Sequence, residues 1–215
     1  MSARLWLVGC GRVFESIAAG AGSYEGGENL EIRRLESTDA IAGAAFADMP
    51  AHQGDDRVFV AVDQSALNHA RFDLYGRLRL AGYRFRTLIH RSAIVDPSAQ
   101  IGENCWVGPG AIVASRAVLG NNTFVGAGAL VDAAAQLASS VWVGSGARVG
   151  ADSHIGSHSV IGADVRIGNA IEVGRHCSVE TPGNYVEPLP DRTFIDPLFV
   201  LPVRVYGGAA ARRAR

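Results

Sequence analysis

Aliphatic side chains recur at every sixth position along the second half of the chain. The register begins at Val95 and runs without insertion through fifteen positions to Val179. Each aliphatic residue is followed by Gly, Ala, Asp or Glu, and a small or β-branched residue comes four positions after it. A period of six matches neither the helical period of about 3.6 nor strand alternation, so it indicates a structural repeat.

Each hexapeptide is predicted to form one short strand and one corner of a coil. The aliphatic side chain points inward, and the following glycine is expected to relieve the backbone at the corner. Three hexapeptides complete a triangular coil, so residues eighteen apart stack about 4.8 Å from each other. This architecture resembles the left-handed parallel β-helix of hexapeptide-repeat proteins, and we place it at residues 89–181. A glycine-rich β-sandwich would instead alternate with a period of two.

Residues 1–88 carry a different pattern, in which apolar runs alternate with stretches of helical periodicity. Alternating strands and helices indicate a small parallel sheet, so the fold class is α/β: a Rossmann-like N-terminal domain followed by a β-helix. Ser65 is a suitable N-cap for a helix whose apolar stripe comprises Leu67, Ala70, Leu74, Leu78 and Ala81. The predicted elements are strands at Leu5–Val8, Leu30–Leu35 and Val58–Val62 and helices at Val13–Ala19 and Ser65–Ala81.

The basic residues of the chain are all arginines. Twenty arginines and 21 acidic residues leave a formal net charge of −1, which offers no electrostatic basis for binding nucleic acid or an anionic membrane. The absence of lysine excludes a Walker lysine, a Schiff-base lysine and a lysine general base. Three scattered cysteines, no signal-peptide layout and no long apolar run favour a soluble, cytoplasmic protein without disulfides.

A glycine pair follows the first predicted strand. Gly9 and Gly11 flank Cys10, and a helix begins just after them, where a phosphate can sit on a helix N-terminus. Phe14 occupies the place of the third glycine in a dinucleotide-binding fingerprint. The pair is therefore consistent with either a phosphate site or a tight turn alone.

The order of these two parts, together with several local stretches, resembles a known family over residues 3 to about 181. The family is that of the bacterial nucleotide-sugar acetyltransferases of the pilin-glycosylation type, with the related sialic-acid O-acetyltransferases. The resemblance implies that the small domain holds a nucleotide sugar, that the β-helix forms a homotrimer, and that acetyl-CoA lies between adjacent helices. It also implies a histidine general base for the acceptor. The stretches are Phe59–Asp63, Gly82–Phe85, Thr87–His90 and Ser92–Val95.

The chain departs from this family where the catalytic histidine is expected. Ala133 and Ala134 stand where a histidine and an acidic residue belong, and alanine cannot take up a proton. By the resemblance, Asp132 and Trp142 lie near this place. The substrate-binding residues that we expect are Gly9, Gly11, Asp63, Asp132 and Trp142, and the expected acetyl-CoA-binding residues are Arg148, Arg166 and Arg204.

Two other pairs of residues that contain histidine could supply a base. His154 and Glu172 are eighteen apart and lie on neighbouring rungs, which suits either an oriented general base or an ordinary cross-strand pair. His158 and His176 stack at a corner, where they could share a metal, one of them could act as a base, or both could remain surface histidines. The candidate catalytic residues are therefore His154, His158 and Glu172.

Two outward columns of the β-helix are apolar. We expect the column Trp106, Phe124 and Trp142 to form a trimer interface or, failing that, a stacking platform for a ligand. The column Ile94, Ile112 and Leu130 also suggests subunit packing. Residues 182–215 are expected to cap the open end of the prism, through Phe194, Ile195, Leu198, Phe199 and Val200, and to end in eight disordered residues.

Three functions follow from these residues. The first is an acyl-CoA-dependent N-acetyltransferase for a nucleotide-linked amino sugar in surface-glycan biosynthesis, since an amine needs a general base less than a hydroxyl does. The second is an inactive relative that serves as a binding or scaffolding protein. The third is a zinc enzyme like the γ-carbonic anhydrases, although His154 and His158 do not have the spacing of that family, so we expect no metal.

Overall fold

The computed structural model describes residues 4–25, 30–36 and 56–205. The N-terminal part is a four-stranded parallel sheet of order β2-β1-β3-β4. Over the described ranges, no helix is long and apolar enough to cross a membrane. The elements are β1 (Leu5–Cys10), α1 (Arg12–Ala19), β2 (Leu30–Arg34), β3 (Arg57–Val62), α2 (His69–Leu80) and β4 (Arg84–Phe85), with short 3-10 turns at Ala21–Ser23 and Ser65–Asn68.

The second predicted helix begins later than its sequence suggests. Leu67 and Asn68 have φ values of 52° and 64°, so the chain from Ser65 forms a 3-10 turn and α2 starts at His69. The side-chain amide of Asn68 donates to the Ser140 carbonyl oxygen at 3.0 Å. This contact with the β-helix holds the turn in a conformation that local propensity does not favour.

The second part is a triangular prism whose three sheets are parallel β-structure, as the repeat predicts. The aromatic face consists of β5 (Leu88–Ile89), β8 (Trp106–Val107), β11 (Phe124–Val125), β14 (Trp142–Val143), β17 (Val160–Ile161), β20 (Ser178–Val179), β22 (Thr193–Ile195) and the antiparallel β23 (Val203–Arg204). The arginine face consists of β6 (Ile94–Val95), β9 (Ile112–Val113), β12 (Leu130–Val131), β15 (Arg148–Val149), β18 (Arg166–Ile167) and β21 (Asn184–Tyr185). The histidine face consists of β7 (Gln100–Ile101), β10 (Val118–Leu119), β13 (Gln136–Leu137), β16 (His154–Ile155) and β19 (Glu172–Val173).

The corner glycines have a different role from the one that the sequence suggests. A Cβ atom on Gly126 would lie 2.6 Å from the Ser145 nitrogen, and one on Gly156 would lie 2.5 Å from the Gly174 carbonyl carbon. Neither glycine has a positive φ; the left-handed residue comes two positions later, at Gly128 (φ 65°) and His158 (φ 60°). The expectation that these glycines relieve the backbone is therefore wrong. They are required because the next coil approaches too closely for a side chain.

The α/β domain lies on the aromatic face. Trp106 and Phe124 are 7% and 0% exposed, in one cluster with Phe14 and Phe59 of the α/β domain. The Trp106 indole donates to the Tyr24 hydroxyl at 3.1 Å. The expectation that this column forms a trimer interface is wrong for its first two members, because the chain's own N-terminal domain covers them.

The prism continues past residue 181, where we expected it to end. Tyr185, Leu189 and Ile195 pair with Ile167, Val173 and Val179 of the previous coil. Of the residues expected to cap the prism, Ile195 packs against the core. The expectation is wrong for Leu198, Phe199 and Val200, which are 86%, 53% and 101% exposed because they lie in the turn of the β22–β23 hairpin. The eight residues predicted to be disordered lie outside the described residues.

Candidate functional site

The carboxyl edge of the N-terminal sheet brings Gly9, Gly11 and Asp63 together. Asp63 follows β3, and its carboxylate accepts hydrogen bonds from the backbone N–H groups of Arg12 and Val13, both at 2.9 Å. A carboxylate is stabilised at this end of a helix by the unpaired N–H groups and the helix dipole. Burial and the nearby Asp63 charge raise the pKa of the Cys10 thiol, which therefore stays protonated.

The two glycines are required by this close approach. A Cβ atom on Gly9 would overlap the Ala61 carbonyl oxygen, and one on Gly11 (φ 97°) would lie 2.6 Å from an Asp63 carboxylate oxygen. A phosphate at the start of α1 would compete with Asp63 for the same N–H groups and would be repelled by its charge. The geometry therefore supports the tight-turn interpretation of the glycine pair, with Asp63 as the polar group of this edge.

A groove of about 710 Å³ runs along the histidine face. His154 pairs with Glu172 on the next rung, as the eighteen-residue spacing predicts, and both side chains are exposed. Among the described residues, no hydrogen bond joins these two side chains. His154 and Glu172 are therefore neighbours on adjacent rungs without direct side-chain contact by hydrogen bonding. Arg175 and Asp191 form one wall, where the arginine Nε and Nη2 atoms lie 3.3 and 3.0 Å from the same carboxylate oxygen. Hydrogen bonds from Arg175 lower the pKa of Asp191.

His158 is not part of this groove. It lies at the corner between the histidine and aromatic faces, under α2, with its ring centroid 4.8 Å from that of His69 and 5.1 Å from that of His176. Burial and the neighbouring imidazoles lower the pKa of His158 to about 4. The structure therefore separates His158 from His154 and Glu172, and α2 partly covers this corner, where His158 and His176 are half-buried and His69 is exposed. Over residues 4–25, 30–36 and 56–205, no three His, Cys, Asp or Glu side chains could hold a metal ion.

Asp132 and Trp142 lie on different sides of the prism. Asp132 is at the corner between the arginine and histidine faces, where its carboxylate accepts a hydrogen bond from the Ala133 N–H at 2.7 Å. Trp142 belongs to the aromatic face and stacks on Phe124 with a centroid distance of 5.1 Å. A single chain does not bring these two predicted substrate-binding residues together.

The three arginines expected to bind acetyl-CoA are also divided. Arg148 and Arg166 are neighbours on the arginine face, and both are exposed. Arg204 belongs to β23, opposite Thr193 at the end of the aromatic face. Within one chain, only the first two can contact the same phosphate group.

Arg71 was missed by the sequence analysis. This α2 residue is fully buried, with its guanidinium carbon 3.9 Å from the Phe124 ring centroid and 5.3 Å from that of Trp142. Its Nη2 donates to the Asn122 carbonyl oxygen at 2.6 Å, whereas Nε and Nη1 have no hydrogen-bond partner. Burial lowers its pKa to about 9. Arg71 falls four residues after Leu67 on the apolar stripe of the helix, and this spacing could have predicted its burial.

A buried polar column joins the α/β domain to the prism. Asn104 donates to the Asn122 side chain at 2.7 Å, and Asn122 donates to the Ser140 hydroxyl at 3.0 Å. The Asn104 side-chain oxygen Oδ1 accepts a hydrogen bond from the Val60 N–H at 2.7 Å. Because these groups are buried, each requires its partner, and the column sets the position of β3 on the prism.

Comparisons with known proteins extend this description. The family model that matches is the GMPPB C-terminal domain, over residues 84–187, somewhat less than half of the chain. A search of the curated proteins found no match.

Several solved structures match almost the whole chain. The acetyltransferase domain of PglB from Neisseria gonorrhoeae, in complex with acetyl coenzyme A, is 24% identical, covers 90% of this chain and 96% of its own, and has a TM-score of 0.75. A variant of the GDP-perosamine N-acetyltransferase from Caulobacter crescentus, in complex with CoA and GDP-perosamine, is 23% identical with coverages of 89% and 92% and a TM-score of 0.72. WeeI from Acinetobacter baumannii is 15% identical with coverages of 90% and 96% and a TM-score of 0.55. The predicted resemblance is confirmed, and what these identities establish is a shared fold.

Proposed function

We propose that this chain is an N-acetyltransferase that transfers an acetyl group from acetyl-CoA, or the acyl group of another acyl-CoA, to a nucleotide-linked amino sugar in surface-glycan biosynthesis. The observation that supports this most strongly is the match to two acetyltransferases, whose structures hold acetyl-CoA, or CoA with GDP-perosamine. Those matches cover 90% and 89% of this chain, so they include the α/β domain as well as the β-helix.

The carboxyl edge of the α/β sheet is the proposed place for the nucleotide. Ligands of open parallel sheets bind beyond the carboxyl ends of the strands, and Gly9, Gly11 and Asp63 lie there. Asp63 already holds two N–H groups of α1, so its remaining lone pairs suit a hydroxyl or N–H donor of a nucleoside. In this proposal, Asp63 binds the nucleoside, and cationic groups elsewhere bind the phosphates.

The reaction requires one proton to leave the amine. The neutral amine nitrogen attacks the thioester carbon, the carbon–sulfur bond breaks, CoA leaves as the thiolate, and a base takes the ammonium proton. We assign this proton to His154, which is exposed in the groove, and the positioning of His154 to Glu172 on the next rung. His158 receives no such role, because it lies under α2 and its surroundings disfavour the protonated form.

A homotrimer would complete this groove. The α/β domain covers the aromatic face, which leaves the arginine and histidine faces to meet between copies. In a closed ring whose axis runs along the prism, equal coils of neighbouring copies face each other. Ile112 would then meet Val118 of the partner subunit, and Arg166 would meet Glu172 of the partner subunit, so both apolar and charged positions are complementary.

The same arrangement places two of the expected acetyl-CoA-binding residues beside two of the expected catalytic residues. Arg148 and Arg166 of one copy would border the groove that holds His154 and Glu172 of the next, where a guanidinium group suits a phosphate of CoA. Arg148 and Arg166 lie on a different face of one chain from His154 and Glu172. In the proposed trimer these four residues form one site.

Ligand binding and turnover test the proposal directly. We expect acetyl-CoA and GDP-, UDP- or dTDP-linked amino sugars each to raise the melting temperature, since a ligand at 100 times its Kd adds about 2.7 kcal/mol. Release of the CoA thiol should require both substrates and should fall in the His154→Asn variant. The absence of both a thermal shift and thiol release with every acyl-CoA would overturn the proposal.

Restoring the missing histidine tests the location of the chemistry. If the amine and the thioester meet at the Asp132–Ala134 corner rather than beside His154, the Ala133→His variant combined with Ala134→Glu should accelerate thiol release by about 10²–10⁴-fold, the usual contribution of a general base. Ala151 stacks under Ala133 one coil away, so Ala151→His is the matched control and should leave the rate unchanged. Equal rates of thiol release in both variants would mean that the reaction does not take place at this corner.

Ala133 also favours a second function, that of a non-catalytic binding or scaffolding protein. Such a protein would keep the fold and the nucleotide edge without a proton acceptor at this corner. Thermal stabilisation by both ligands without any CoA release would identify it.

A further inference from the structure

The first turn of α2 packs on a corner of the prism through aromatic rings. His69 lies against His158 and His176, with ring centroids 4.8 and 5.6 Å apart. Phe72 meets His158 edge-on, with a centroid distance of 4.9 Å and an interplanar angle of 84°. We refer to these four residues as the histidine seam, because they join the α/β domain to the β-helix.

The three imidazoles of the seam are nearly parallel and mutually in contact. Their planes lie within 8° of each other, and the His158–His176 centroid distance is 5.1 Å. His158 Nδ1 is buried and has no hydrogen-bond partner. A second positive charge this close would be strongly repelled, so the contact suits neutral rings.

The charges around the seam also oppose protonation. Asp191 is the single negative group among them, and it is held by Arg175. The other charged or titratable groups that act on His158 and His176 are cationic or imidazole, and they outweigh a hydrogen bond with the Leu67 backbone that favours the protonated His158 ring. Together, the titratable groups that face these two rings are His69 and Arg71 from α2 and Arg175, Asp191 and Arg192 from the β-helix.

The direction of the pH effect follows from this environment. Burial and the neighbouring charges lower the pKa of His158 to about 4 and also lower the pKa of His176. When α2 moves away, the rings regain the ordinary histidine pKa of about 6.5, so the open state binds more protons. The closed contact is therefore fully stable above about pH 6.5, and it is lost progressively as the pH falls from there to about 4.

We propose that the histidine seam is a proton-operated latch, in which neutral imidazoles hold α2 on the β-helix and acidification releases it. The release would extend to the carboxyl edge of the sheet. Asn68, which anchors the turn before α2 on Ser140, is five residues from Asp63, and Leu67 and Asn68 are both held at positive φ. The latch is independent of the acetyltransferase proposal, because it concerns how the two parts of the chain are joined.

Hydrogen exchange of the intact protein measures this opening. We compare α2 with the prism strands between about pH 7 and about pH 5, after correction for the intrinsic exchange rate. The opening constant of α2 should rise about tenfold per pH unit for each proton gained below about pH 6.5. The prism strands β11 and β12 should show no such increase, and α2 protection that stays constant over this range would overturn the proposal.

A variant pair separates the latch from a general acid effect. His158→Asn removes the titrating ring, and asparagine tolerates the left-handed φ of 60° at this position. It should flatten the pH dependence of α2 exchange, whereas the exposed His154→Asn should retain the dependence of the unaltered protein. An unchanged slope in His158→Asn, or an equally flattened slope in His154→Asn, would contradict the latch.

A direct titration keeps the proposal testable if His158→Asn fails to fold. The ring proton signals of His158 in the unaltered protein report its protonation by NMR. A midpoint well below about 6.5 supports the latch, and a midpoint at or above that value overturns it.

Discussion

The aromatic face and the arginine face of the prism carry the same outward positions of one repeat but differ in what covers them. Trp106 and Phe124 on the aromatic face are 7% and 0% exposed, because the α/β domain packs on them. Ile94 and Ile112 at the equivalent positions of the arginine face are 64% and 38% exposed. An outward apolar residue of a β-helix therefore marks a surface to be covered without identifying the partner that covers it.

The largest expected difference between the faces is in folding stability. Phe124→Ala should lower the free energy of unfolding by about 3–5 kcal/mol, since it leaves a cavity between Phe59 and the prism. Ile112→Ala, at the same repeat position on the open face, should change the free energy of unfolding of the single chain by no more than about 0.5 kcal/mol. Denaturant unfolding of both variants measures the difference. Equal losses of unfolding free energy would mean that packing of the α/β domain on the aromatic face contributes nothing to stability.

Corner glycines should show an intermediate effect that does not depend on the face. A Cβ atom on Gly156, next to the covered face, or on Gly150, between the two open faces, would lie 2.5 or 2.6 Å from backbone of the next coil. Alanine at either position should cost about 1–3 kcal/mol by overpacking.

Gly168 is the matched control for these variants. It holds the same repeat position, but a Cβ atom there would come no closer than 3.4 Å to any neighbour. Gly168→Ala should be nearly neutral in the same thermal or denaturant unfolding measurement. A large loss only at Gly156 would instead assign the effect to the α/β domain.

The smallest effect on the fold should come from a charge on the open face. Ile112→Asp should leave single-chain stability within about 0.5 kcal/mol but convert the proposed trimer to a monomer in light scattering. Leu80→Asp places the same charge on an apolar residue of α2 that is 91% exposed, and it should leave the assembly intact. A monomeric unaltered protein, or loss of assembly in both variants, would contradict the proposed packing of the arginine face on the histidine face.

Sequence reasoning predicted correctly those features that the repeat itself determines. The register that places Phe124 beside Trp142 and His154 beside Glu172 follows from the spacing of eighteen. It failed at Trp106 and His158, because an outward-facing ring has the same pattern whether water, a ligand or another domain lies against it. Asp63 belongs between these cases: its position after a strand is predictable, but its capping of α1 depends on how β1 and β3 align.

The sequence alone determined that the second half is a β-helix, which positions point inward, and that lysine chemistry is absent. The inward positions repeat with a short period, so every coil imposes the same steric requirement, and the absence of lysine follows from composition alone. Only the tertiary structure decided that the aromatic face is internal, that Arg71 is buried, and that three histidines meet at one corner. The physical reason is that apolar burial is non-directional, so the pattern specifies that a surface must be covered, and the path of the chain selects its cover.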